Sequence, residues 1–331
     1  MGTTPEVNPT DLSSSPCNLC PRQCGADRGS AEHSAPGFCG ETGNVRIAAA
    51  LLHFGEEPPL TGRGGSGTVF FTGCTLRCSF CQNHQISLSG MGRRVSAKEL
   101  ADIMLGLEEA GAENINLVTG THFIPGILES WRNARSRGLG LPVVWNTSGY
   151  ETLSAVEALA GMTDIFLPDV KTVDPSTAGD EFGTPGYAAA VKKAVERMVE
   201  LKPVSWGKEA PDDAVGRESP PLLSGTLVRH LVLPGRLDNT RRVLEWYART
   251  CGERALLSLM VQYVPVRGPS GRVITPSEYE KALGLLEEFG IEEGYVQELD
   301  DDGSWLPDFD RVMSFPSPDV KIIWHWKTGF V

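Results

Sequence analysis

The chain has 331 residues, 40% of them apolar, and a formal net charge of -12. That length supports one barrel-sized core with appendages, and an acidic balance without any block of Lys or Arg argues against nucleic acid or anionic lipid as a partner. No run of about 18 apolar residues marks a membrane span. The opening MGTTPEVNPTDLSSS has no basic and apolar leader, and Glu6 stands where a myristoylation signal wants Ser or Thr, so a cytoplasmic protein with reduced thiols is expected.

Residues 1–44 read as a cysteine-rich extension. Cys17, Cys20, Cys24 and Cys39 follow the spacing C-x2-C-x3-C-x14-C, with Pro21, Gly25, Gly37 and Gly40 beside them for tight turns. Four thiolates close a tetrahedral site, so zinc or an iron-sulfur cluster is expected, and so short a region needs such a staple to fold. Residues 45–300 then alternate strands and helices. Strands are predicted at 68–72, 114–118, 142–146, 164–168, 226–233 and 257–264, and helices from about Ala97, Ile127, Glu151, Tyr187, Asn239 and Pro276. Ser96-x-x-Glu99 and Thr275-x-x-Glu278 read as capping boxes. Six alternations predict a parallel sheet in a partial (β/α)6 barrel, with functional groups at the C-terminal strand ends. The stretch 202–225, with four prolines, reads as a mobile surface insertion. Residues 301–331 read as an extension packing on the barrel, its KIIWHWKTGF a strand closing one side of the core.

Directly after the first predicted strand stands GCTLRCSFCQNHQIS, in which Cys74, Cys78 and Cys81 are spaced C-x3-C-x2-C. Three soft thiolates in a loop at the barrel mouth suit an iron-sulfur cluster or zinc and leave one metal position open, which favours chemistry over structure. A structural zinc site completed by a distant His is the bland alternative. Cys251 reads as a partly buried thiol, and GRGGSGT lacks the Lys of a phosphate loop.

This spacing, with Phe80 before the last cysteine, resembles the radical S-adenosylmethionine (SAM) superfamily. Along HFGEEPPLTGRGGSGTVFFTGC, CQNHQIS, INLVTGTHFIP, WNTSGYE, LPDVK, VRHLVLPG and MVQY the chain is similar to the group related to pyruvate formate-lyase activating enzymes. The resemblance implies a [4Fe-4S] cluster on the three cysteines, SAM on its fourth iron, and reductive cleavage to a 5'-deoxyadenosyl radical that abstracts hydrogen from a substrate. Phe80 is then expected beside the adenine, with Asn83 of the same loop also near the cofactor. Thr119-Gly120-Thr121-His122 stands where many members have Gly-Gly-Glu, so the carboxylate contact is missing while Gly120 still allows close approach; Thr121 and His122 stay candidates. Asn146-Thr147-Ser148-Gly149 replaces Asp-Thr-Asn-Gly, which makes Asn146 and Ser148 candidates and puts a cation site near SAM in doubt.

Asp169 and Lys171 match Asp-Leu-Lys and are expected to meet the polar ends of SAM and act in catalysis; an exposed ion pair is the alternative. Arg229 and His230 are adjacent on one strand, so only one can face the interior, and Gln262 stands near the last strand's end, where activating enzymes offer a His. An electron donor such as flavodoxin or ferredoxin is the implied partner. Three functional readings remain open: activation of a glycyl radical enzyme, radical modification of another peptide or small molecule, and a non-catalytic iron-sulfur or zinc module.

Overall fold

The alternation of β-branched runs and amphipathic segments is realised along the chain. The computed structural model describes residues 12, 16–28, 35–208, 219–266, 271–299, 306–317 and 320–331. The opening stretch read for leader and lipid signals, apart from Leu12, lies outside them, as do 209–218, the middle of the predicted insertion. The elements are β1 (Arg46–His53), α1 (Pro58–Thr61), β2 (Ser66–Phe71), α2 (His84–Ser87), β3 (Arg93–Arg94), α3 (Ala97–Glu109), β4 (Ile115–Val118), α4 (Ile124–Ser136), β5 (Val143–Thr147), α5 (Leu153–Leu159), β6 (Ile165–Pro168), α6 (Pro175–Phe182) and α7 (Tyr187–Leu201). There follow β7 (Ser205–Trp206), β8 (Leu222–Leu231), α8 (Leu237–Thr250), β9 (Leu256–Met260), α9 (Pro276–Glu288), β10 (Gly294–Val296), β11 (Lys321–His325) and β12 (Gly329–Phe330).

The main sheet runs in the order β10-β9-β8-β6-β5-β4-β2-β1-β11-β12. Pairing is parallel from β2 through β10 and antiparallel at β1, β11 and β12. All six predicted strands are present, and among the described residues the two ends of the sheet do not pair, so the barrel stays open. Within the parallel part of the sheet, two features differ from the sequence reading. A seventh parallel strand, β10, is only three residues long, too short for a period-2 signal. The strand predicted from Thr226 begins at Leu222, because Trp206 pairs with Leu222 and Ser205 with Ser224 in a short antiparallel ribbon. The C-terminal KIIWH is a strand as expected, β11, lying on β1 with Trp324 fully buried.

Thr275 forms the full capping box with Glu278. At Ser96 only half of the expected box forms: the hydroxyl accepts from Glu99 N–H, but the Glu99 carboxylate is drawn to Arg93 at 2.7 Å and Trp324 Nε1 at 3.3 Å. Tertiary partners outcompete the local one.

Strand alternation sorts side chains to two faces. On the helix side, Leu117, Trp145 and Phe166 pack with α3, α4 and α5, and Val228, Leu257 and Leu259 with α7, α8 and α9. On the inner side, Val144, Ile165, Leu167, Leu227 and Leu256 gather around Leu60 of α1. Because α1 lies between the end of β1 and the start of β2, Leu60 plugs the barrel at the N-terminal ends of the parallel strands. The opposite end is left for a reactive centre.

Candidate active site

Beyond β2 the chain turns at Gly73, whose φ of +82° and missing Cβ are both required: a Cβ there would lie 2.7 Å from the Cys39 carbonyl and 2.5 Å from Glu41 Cγ. The loop that follows carries Cys74 and Cys78, both buried, and Cys81, half-buried. Leu76 N–H donates to Cys74 Sγ at 3.3 Å and Ser87 Oγ to Cys81 Sγ at 3.2 Å. Gln82 Nε2 donates to the Gln262 carbonyl at 2.6 Å, and Gln297 Nε2 to Gln262 Oε1 at 2.8 Å, tying the loop to the end of β9. Phe80 is buried between Phe182 and Tyr263, ring centroids 6.1 Å from each. Asn83 begins α2 without a side-chain cap bond.

Asp169 and Lys171 follow β6 and pair at 2.9 Å between Oδ2 and Nζ. Burial opposes the Lys171 charge, yet Asp169, Cys78 and Tyr187 outweigh it and hold its pKa above the ordinary lysine value. Cys78 is pushed up by burial while Lys171 pulls it down, so the ammonium stands within electrostatic reach of the triad. Asp169 Oδ1 is buried and has no hydrogen-bond partner among the described residues. Tyr187 OH bridges the carbonyls of Ser148 and Asp169, at 2.8 and 3.0 Å, and so fixes two strand ends at once. Asn146 points inward near them with 9% exposure.

Below this rim lies a charged layer built on Arg229, one of the cofactor-contact candidates, and on two acids to which the sequence reading gave no role. Arg229 Nε and Nη2 donate to the two carboxylate oxygens of Glu57 at 2.9 and 2.6 Å, and Nη2 also to Glu56. Asn116 Nδ2 donates to Glu56 at 2.8 Å and Ser258 to Glu57. Burial would raise Glu57, but the guanidinium more than reverses it. The acidic pair inside HFGEEPPLTG was the available signal: two carboxylates directly before two prolines in an apolar stretch. As expected, Arg229 and His230 face opposite ways. His230 is buried towards α8, with Nδ1 on the Val170 carbonyl at 2.7 Å and Nε2 on Thr240 at 3.1 Å, and burial lowers its pKa to about 4.

Residues 120–122 turn into the core. Thr121 donates to Glu151 at 2.7 Å, His122 Nε2 to the Thr72 carbonyl at 2.7 Å, and a Cβ on Gly120 would meet Ile127 and Trp145. Burial brings His122 down to about 3. Glu151, also unforeseen, accepts from Thr121, Thr147 and Trp145, and burial raises its pKa.

The N-terminal thiols gather against the same loop. Cys17, Cys20 and Cys39 are buried and Cys24 is exposed; a Cβ on Gly37 would sit 3.3 Å from Cys24 Sγ and 3.5 Å from Cys39 Sγ. Burial and the three neighbouring thiols push Cys20 up to about 12. Among the described residues no three His, Cys, Asp or Glu side chains are arranged to hold a single metal ion. The donor chemistry of both sets, all thiols, suits an iron-sulfur cluster or zinc. No helix among the described residues is long and apolar enough to cross a membrane.

Comparison with known proteins adds sequence and structural likenesses. Residues 68–207 match the sequence profile of the radical SAM superfamily. An uncharacterized protein of Methanocaldococcus jannaschii is 27% identical over 292 residues, spanning 83% of this chain and 75% of that protein. Among solved structures, SuiB of Streptococcus suis aligns with a TM-score of 0.47 and 10% identity over 72% of this chain and 49% of its own, so the chain spans about half the length of SuiB. A domain of a pyruvate-formate lyase-activating enzyme from Bacteroides vulgatus aligns with a TM-score of 0.37 and 10% identity, over 53% of this chain and 91% of that domain.

Proposed function

We propose, from the match of residues 68–207 to the radical SAM profile, that the chain cleaves SAM reductively and uses the resulting 5'-deoxyadenosyl radical to take hydrogen from a substrate at the barrel mouth. The observation that carries the reading is the Asp169–Lys171 pair beside Cys78, with one buried Asp169 oxygen left unpartnered. Cys74, Cys78 and Cys81 would hold a [4Fe-4S] cluster, which supplies one electron to the sulfonium when SAM is bound. Asp169 Oδ1 offers an acceptor to an ammonium group, and Lys171, kept charged by its neighbours, offers a donor to a carboxylate. Phe80, Phe182 and Tyr263 form an apolar wall that excludes water from the loop.

The N-terminal cysteines would hold a second metal centre, zinc or iron-sulfur, and a flavodoxin or ferredoxin would supply electrons. Activation of a glycyl radical enzyme is one substrate class. The replacement of the activating enzymes' Asp by Asn146, and of Gly-Gly-Glu by side chains turned into the core, supports the other, a different peptide or a small molecule.

The test is anaerobic: protein reconstituted with iron and sulfide, reduced with dithionite and given SAM should form 5'-deoxyadenosine and methionine, and Cys78→Ala should form none. SAM binding without cleavage would leave the domain a cofactor-binding module awaiting its substrate. Failure to bind SAM would favour the non-catalytic reading.

A further inference from the structure

The two cysteine sets are joined through their own ligands. Cys74 N–H donates to the Cys39 carbonyl at 3.2 Å, and the approach is possible only because Gly73 lacks a Cβ. Arg22, between Cys20 and Cys24, donates to the Thr75 carbonyl at 2.7 Å and the Leu76 carbonyl at 3.4 Å; Arg77, between Cys74 and Cys78, donates back to the Phe38 carbonyl at 3.2 Å. Each loop thus sends an arginine onto the other, and the covalent path from one set of sulfurs to the other is interrupted by a single hydrogen bond. On the outer side, Cys24 is the exposed thiol and lines a cavity of about 340 Å³ with Arg22, Phe38 and Tyr150. Phe38 is 41% exposed and lies under the Arg22 guanidinium at 3.5 Å, with Arg77 at 5.6 Å. On a chain of net charge -12, two guanidiniums around an exposed ring make a local cationic, aromatic patch.

We infer that the N-terminal cysteines hold an iron-sulfur cluster that conducts electrons to the triad, entering at the Cys24–Phe38 face from a small acidic one-electron carrier protein. The carrier is oxidised by one electron, and that electron passes through the Cys39–Cys74 contact to reduce the cluster on the triad. Charge complementarity sets the choice of carrier, since an acidic partner meets the arginine pair while the rest of the surface repels it.

The inference rests on the triad holding a SAM cluster, which dithionite-driven cleavage tests separately. In full-length protein carrying Cys74→Ala, Cys78→Ala and Cys81→Ala, iron should remain with a reducible cluster signal by electron paramagnetic resonance; zinc without iron there overturns the inference. In Phe38→Ser, 5'-deoxyadenosine formation driven by reduced flavodoxin should fall at least about tenfold while the dithionite-driven rate stays unchanged; equal flavodoxin-driven rates overturn the entry face. Freeze-quenching wild-type protein with substoichiometric reduced flavodoxin needs no variant. The N-terminal signal should appear before that of the triad, and the reverse order rejects the route.

Discussion

Thr119 holds a φ of +60°, a region a β-branched residue enters only at a cost of about 1–3 kcal/mol. Its N–H is bonded to the Asn146 carbonyl at 2.8 Å, so the strained residue aligns two strand ends at the mouth. Thr119→Gly should therefore raise the unfolding midpoint, by the equivalent of about 1 kcal/mol, in a thermal melt. Histidine and glutamate in this region push stability in opposite directions with pH. His230 has a folded pKa of about 4 against an ordinary 6.5, so the folded state binds fewer protons in between. Its contribution is present above 6.5 and is lost as pH falls through that window, at about 1.4 kcal/mol per pH unit. Urea midpoints measured from pH 7 to 4 should fall less steeply in His230→Gln. Glu151, raised by burial, contributes fully below the ordinary carboxylate pKa and loses that contribution as pH rises through its folded value. Glu151→Gln keeps an acceptor for Thr121 and Thr147 without the charge, so it should match wild type at pH 4 and exceed it at pH 8.

At the scale of elements, α1 is decisive although it spans only four residues. It is held by Leu60 in the inner cluster and by the salt bridges of the preceding Glu56 and Glu57 to Arg229. Removing one partner of a buried pair leaves the other charge uncompensated, which costs about 3–5 kcal/mol. Arg229→Met strands both Glu56 and Glu57 and should lose at least that much in urea unfolding, whereas Glu57→Gln, which leaves Glu56 on the guanidinium, should lose clearly less. The short helix thus closes the barrel floor and pins Arg229, whose backbone bridges to that of Asp169 beyond the end of β6.

The whole molecule is an open sheet whose antiparallel flank depends on residues far apart in the chain. β1 is buried along most of its length and is covered by β2 on one edge and β11 on the other. Phe309 and Phe315 complete the packing against Phe70. A chain ending at residue 306 would bare the β1 edge and remove Trp324 from the core, a loss of about 3–5 kcal/mol for that residue alone. It should aggregate in size-exclusion chromatography, while removal of Val331 alone should not.

What could be read from the letters was local or periodic. The triad spacing, the four N-terminal cysteines and the six parallel strands each show in a short window, because loop ligands and β/α units are written contiguously. Opposite facing of Arg229 and His230 followed from the two-residue strand period. β1 escaped because RIAAALLH is covered on both faces and so lacks alternation, and β10 because three residues carry no period. Tertiary structure alone decided which carboxylates meet Arg229, that Thr121 and His122 turn into the core, and that Cys39 touches Cys74. Those contacts join residues tens to hundreds of positions apart, and their energies depend on burial and partners that exist only once the sheet has curved around them.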